Sequence, residues 1–93
     1  MNNTNQTLHL IFSSPHSPTA KLSFLVMKET DTALFLGDGV FYASTIAQAK
    51  FQCYFLESDL EVRGLDVPVD QRIGYVAFVA LCEKFNKVIS WPK

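Results

Sequence analysis

The sequence predicts an α/β fold: a single small three-layer domain, with a mostly parallel sheet of about five short strands flanked by helices. Three observations lead there. The run Thr32-Ala33-Leu34-Phe35-Leu36 has neither charge nor polar alternation, which suits a strand covered on both faces of a parallel sheet. It stops abruptly at Gly37-Asp38-Gly39, a sharp turn at the carboxyl end of a strand, where open α/β sheets build their sites. Strand-like and helix-like segments then alternate along the rest of the chain, the pattern of parallel strands joined by helical crossovers.

Taken in order, Thr7 to Phe12 reads as the first strand, after a polar start. Ser13-Ser14-Pro15-His16-Ser17-Pro18 is a loop. Its end sets Ser17 as a helix N-cap, able to accept from an orphan amide, and Pro18 at the first helical position, where no amide is needed. Leu22, Leu25 and Val26 recur at helical spacing, with Phe24 and Met27 widening the stripe, and this is the expected buried face. Lys28 to Asp31 closes the helix and leads into the central strand. Val40 to Ala49 predicts a short or irregular helix, because Val40, Thr45 and Ile46 are β-branched. Phe51 to Leu56 is the third strand, and Glu57 to Arg63 a short helical turn stopped by Gly64. Val67 to Val69 is extended, with a short fourth strand expected within Asp70 to Ile73. The stripe Tyr75, Phe78, Val79 and Cys82 marks a last helix, Asn86 its C-terminal stop, and Val88 to Trp91 a final strand before Pro92. With no repeats, linkers or low-complexity segments, residues 1–93 read as one domain.

Composition sets limits on function. A chain of 93 residues has a modest core, yet 48% of this one is hydrophobic and only 18% charged, against the usual quarter or so. So much apolar material predicts surface patches, and patches predict an oligomer subunit. A net charge of −1 argues against a domain that grips nucleic acid alone. No apolar run approaches the roughly 20 residues of a membrane span, and the start resembles no signal peptide. A cytoplasmic location with reduced thiols is the expectation.

The chemistry-bearing residues are few. Cys53 lies mid-strand on the face of Phe51 and Phe55, and Cys82 lies on an apolar helical stripe beside Glu83. Both read as packing residues, since a reactive thiol needs exposure and nearby positive charge. Gly37-Asp38-Gly39 resembles the opening of a dinucleotide fingerprint, but Tyr42 stands where a third glycine belongs and Asp38 would repel phosphate. The turn is read as structural, with Asp38 capping the next segment. His9 reads as a hydrogen-bonded core histidine and His16 as solvated. Neither has a cysteine or carboxylate at ligand spacing, so no metal or other cofactor is expected. Arg63, four residues after Asp59, is most simply a helix-surface pair, the alternative being that it anchors a partner or its own turn.

Several fragments together resemble the TusB/DsrH subunits of bacterial sulfur-relay complexes. They are Leu8-His9 with Ser14-Pro15, Asp38-Gly39-Val40, Asp59-Leu60 with Arg63-Gly64-Leu65, Phe78-Val79 and the terminal Trp91. The family-motif positions are thus His9, Asp38, Gly39, Asp59, Arg63, Gly64 and Trp91. The resemblance implies a DsrE-like fold and a heterohexamer with TusC/DsrF-like and TusD/DsrE-like subunits. That assembly passes persulfide sulfur towards 2-thiolation of the wobble uridine in tRNA. It implies a non-catalytic role for this chain, without stable tRNA binding of its own, because the transferring cysteine belongs mainly to the D-type subunit. Some DsrH members carry a cysteine in the first helix, where this chain has Ser23 and Phe24. The rival readings are a DsrH-like carrier in dissimilatory sulfur oxidation, using Cys82 or Cys53, and a small nucleotide-binding regulator resting on the glycine turn alone.

Overall fold

The computed structural model describes residues 3–44 and 50–92. Five strands, β1 (Asn3–Ile11), β2 (Thr32–Phe35), β3 (Gln52–Leu56), β4 (Arg72–Ile73) and β5 (Phe85–Trp91), form one sheet in the order β4-β3-β2-β1-β5. Every pairing among them is parallel. The chain steps outward from β1 to β4, then crosses back to place β5 on the free side of β1. The helices are α1 (Pro18–Val26), α2 (Glu57–Val62) and α3 (Tyr75–Lys84), with 3-10 turns at Gly37–Ser44 and Val69–Gln71.

The uncharged run forms the central strand because all four residues of β2 are buried, with β1 and β3 hydrogen-bonded on either side. Alternation along the strand divides the core in two. Ala33 and Phe35 join Ile11, Cys53 and Phe55 under Ala20 of α1 and Leu60 of α2. Leu34 and Leu36 point the other way with Leu8, towards Phe78, Leu81 and Cys82 of α3. On the first face the Phe35 and Phe55 rings stack with centroids 4.8 Å apart, and Phe24 lies 4.8 Å from Tyr42. Burying each such ring contributes about 2–3 kcal/mol.

The start of α1 follows the sequence, but the buried faces of α1 and α3 do so only in part. Ser17 Oγ accepts from Thr19 N at 3.2 Å, with Pro18 opening α1. Leu22, Leu25 and Val26, however, face outward with 53%, 83% and 49% of their surface exposed. The inward residues are Ala20 and Ser23, flanked by Phe24 and Met27. These positions also recur at helical spacing, and the small side chains allow α1 a close approach to the sheet. The Ser23 hydroxyl is satisfied locally, donating to Ala20 O at 2.7 Å. In α3 half of the expected stripe holds: Phe78 and Cys82 turn inward, joined by Leu81, while Tyr75 and Val79 are exposed.

Asn86 does not stop α3. The helix ends at Lys84, Phe85 is already extended, and β5 begins there, drawn out by pairing of Phe85 with Asn3. β1 itself starts at Asn3, earlier than its apolar run, with a register shift between Asn3 and Thr7. The fourth strand contracts to Arg72–Ile73 behind the Val69–Gln71 turn. The irregular helix after the glycine turn is a 3-10 helix through Ser44, and its expected continuation over 45–49 lies outside the described residues. Among the described residues no helix is long and apolar enough to cross a membrane.

Candidate functional site at the carboxyl end of the central strand

The turn after β2 is built around two glycines with different duties. Gly37 adopts φ +53°, a left-handed conformation that side chains disfavour. Gly39 is needed for space: a Cβ there would lie 2.1 Å from Ile11 O. That carbonyl also accepts from Leu36 N at 3.0 Å, so the turn is pressed directly onto the end of β1.

Two motif residues four apart, Asp59 in α2 and Arg63 just after it, reach back to this turn. Asp59 Oδ2 accepts from Gly37 N at 2.8 Å. Arg63 Nη2 donates to Asp38 Oδ1 at 3.0 Å, and its Nη1 donates to Asp59 O at 3.1 Å. The guanidinium also lies 5.7 Å from the centre of the Phe41 ring. Arg63 is therefore more than a surface partner for Asp59: only 21% exposed, it ties α2 to the glycine turn. Gly64, at φ +66°, ends α2 as its position in the sequence suggests, with Leu65 N donating back to Leu60 O at 3.0 Å.

Beside this network lies an open cavity of about 480 Å³, lined by Ser14, Pro15, His16, Asp38, Phe41 and Ser44. It joins the loop after β1 to the turn after β2, and His16 stands exposed at its wall. Tyr42, where a dinucleotide fingerprint would have glycine, is instead buried against Phe24 and Phe35.

Neither thiol lines this cavity. Cys53 sits in β3 opposite Ala33, its Sγ donating to Phe51 O at 3.6 Å, and burial pushes its pKa up to about 12. Burial, with Glu83 beside it, also raises the half-buried Cys82 thiol. Low-dielectric surroundings and negative charge both penalise the thiolate, the form that attacks and carries sulfur. Among the described residues no group of three His, Cys, Asp or Glu side chains could hold a metal ion.

A second polar cluster lies within the sheet. His9, 1% exposed, meets Asp31 through Nε2 at 3.0 Å, and Trp91 Nε1 donates to His9 Nδ1 at 2.9 Å. The two rings lie 19° from parallel with centroids 6.2 Å apart, an edge-to-edge meeting rather than a face contact. Asp31 also accepts from Thr7 N and Lys28 N. Burial would raise its carboxyl, but the two amides and the His9 ring outweigh burial and hold it below the ordinary value of 3.8. The motif positions thus fall into two constellations. Asp38, Gly39, Asp59 and Arg63 meet at the turn, with Gly64 ending α2 behind them, and His9 and Trp91 meet inside the sheet. Asp31 and Phe41, partners of these residues, have no motif or spacing signal of their own.

Known proteins resemble the chain over most of its length. The chain is 28% identical over 94 residues to Protein TusB of Buchnera aphidicola subsp. Acyrthosiphon pisum (strain 5A), covering 90% of this chain and 99% of that protein. It is 29% identical, with the same coverage, to Protein TusB of Photorhabdus laumondii subsp. laumondii. The family described as DsrH like protein matches residues 13–88, which span the cavity, the glycine turn and Arg63, and the chain belongs to that family.

Proposed function

We propose that this chain is a non-catalytic subunit of a TusBCD-type sulfurtransferase complex, one DsrH/TusB-like unit in the relay that delivers sulfur for 2-thiolation of wobble uridine in tRNA. One observation carries the reading: both thiols are packed away from the cavity at the carboxyl edge of the sheet, and neither is poised as a thiolate. A chain so arranged can shape a shared site but is poorly suited to holding a persulfide. The TusB relatives, matched over nine-tenths of the chain, support a place in a sulfur relay. The exposed stripes on α1 (Leu22, Leu25, Val26) and α3 (Tyr75, Val76, Val79) supply apolar surface for TusC/DsrF-like and TusD/DsrE-like partners. The complex would work in the cytoplasm, with tRNA handled downstream rather than held by this chain.

Co-expression with C- and D-type subunits from the same genome tests it. The expected result is a stoichiometric complex in which a persulfide donor labels the D-type subunit and leaves Cys53 and Cys82 unmodified. A chain that stays monomeric beside those partners overturns the assignment. A stable persulfide on either of its own cysteines favours the sulfur-carrier reading instead.

A further inference from the structure

We propose that Asp31, His9 and Trp91 form a proton-controlled latch, holding the end of the edge strand β5 to the sheet and releasing it when the His9 ring takes up a proton. The indole Nε1–H can only donate, so its 2.9 Å contact requires His9 Nδ1 to be bare. The neutral ring therefore carries its proton on Nε2 and donates to Asp31 Oδ2 at 3.0 Å. Asp31 is itself fixed by the Thr7 and Lys28 amides at 3.0 and 3.1 Å, so it cannot turn away. Both imidazole nitrogens are thus committed in a ring that water hardly reaches.

A proton from solvent can be taken only by Nδ1. The Nε2–H to Asp31 bond survives and becomes an ion pair. At Nδ1, however, two N–H donors now face each other, and the indole has to leave. Among the described residues Asp31 is the titratable group bonded to the ring, and Tyr42 and Cys53 are the titratable groups in the buried cluster on the same face of the sheet. Lys28 reaches the cluster through its backbone amide while its side chain is exposed. On the α1 side the packed side chains are Ala20, Ser23, Phe24 and Met27, none of which titrates. The neighbouring strands place Ala33 and Ile89 beside His9.

The consequence falls on β5, which among the described residues pairs with β1 alone. Its last rung is Phe12 N donating to Trp91 O at 3.0 Å, and without the indole anchor that rung rests on backbone bonding only. The latch does not depend on the sulfur-relay reading.

Trp91 is the single tryptophan, so the full chain reports on itself. In a pH titration followed by NMR, the Trp91 indole N–H should shift and exchange faster with the same midpoint as protonation of the His9 ring. Acrylamide quenching of Trp91 fluorescence should rise in step. His9→Gln, which can donate and accept without titrating, should remove the pH response, and His16→Gln should keep it. Trp91→Phe keeps an aromatic ring but removes the donor that favours neutral His9. It should move the His9 midpoint upward, because the neutral ring then loses its hydrogen-bond donor. If His9→Gln fails to fold, this second variant decides. Protonation of His9 without a Trp91 response, an unchanged midpoint in Trp91→Phe, or a His9 that stays neutral until the chain unfolds each overturns the latch.

Discussion

Arg63 Nη2 donates to Asp38 Oδ1 at 3.0 Å, joining the end of α2 to the turn after β2 across 25 residues of sequence. Its other terminal nitrogen donates to Asp59 O, and Asp59 in turn holds the Gly37 amide. One planar side chain with several fixed donors therefore braces the turn from two directions, a task a single ammonium performs poorly. Arg63→Lys is expected to lower stability by about 1 kcal/mol, and Arg63→Ala by about 2, since the Asp38 and Asp59 carboxylates then lose their shared partner. Urea unfolding measures both. Arg63→Ala as stable as the parent would mean that the bridge is incidental.

The glycines separate space from conformation. Gly39→Ala forces a Cβ to within 2.1 Å of the Ile11 carbonyl, a backbone atom that cannot move aside without breaking the β1–β2 junction. A loss of about 3 kcal/mol or more is expected. Gly64→Ala meets no neighbour but strains φ +66°, for about 1 kcal/mol. Gly74→Ala, with open space and an ordinary φ of −86°, should be nearly neutral. Thermal melts of the three variants should rank in that order.

Acid stability depends on Asp31. Its folded carboxyl lies below the ordinary 3.8, so its contribution is complete above about pH 4 and disappears as pH falls through the folded value. Asp31→Asn should be less stable than the parent at neutral pH by about 2 kcal/mol, and the two should converge in acid. Chemical denaturation at a series of pH values reads this directly; a constant gap between them down to about pH 2 would count against it.

Thiol chemistry should follow burial. With its pKa at about 12, roughly one Cys53 in ten thousand is ionised at pH 8, so native alkylation should be very slow and unfolding should release it. Cys82, half-buried, should react sooner, yet more slowly than a free thiol. Mass spectrometry of timed alkylations distinguishes the two sites. Fast labelling of native Cys53 would contradict its burial against Ala33 and Phe51.

The outward stripe of α1 offers a contrast between association and stability. Leu25→Lys, at a position 83% exposed, should change the unfolding free energy by no more than about 0.5 kcal/mol, whereas Phe35→Ala should cost about 3–5. If the stripe serves as a subunit contact, Leu25→Lys should also weaken assembly with the partner subunits in size-exclusion chromatography.

The features legible in the residues alone were local. An uncharged run is buried on both faces and so becomes the central strand; Ser17-Pro18 and Gly64 carry in their own covalent structure the means to start and stop helices. The burial of Cys53 was likewise legible, from apolar neighbours at strand spacing, whereas Cys82 on its helical stripe is only half-buried. The tertiary structure decided which of two equally periodic stripes on α1 and α3 turns inward, because helical spacing gives the width of a face but not its direction. It also decided that Lys84 ends α3 and not Asn86, since pairing with β1 outweighs a weak local stop. Only the folded sheet could bring Arg63 to Asp38 and Trp91 to His9, contacts 25 and 82 residues apart. Such pairs leave no periodic trace along a single chain, because strand order and crossover, not sequence spacing, set the distance between their side chains.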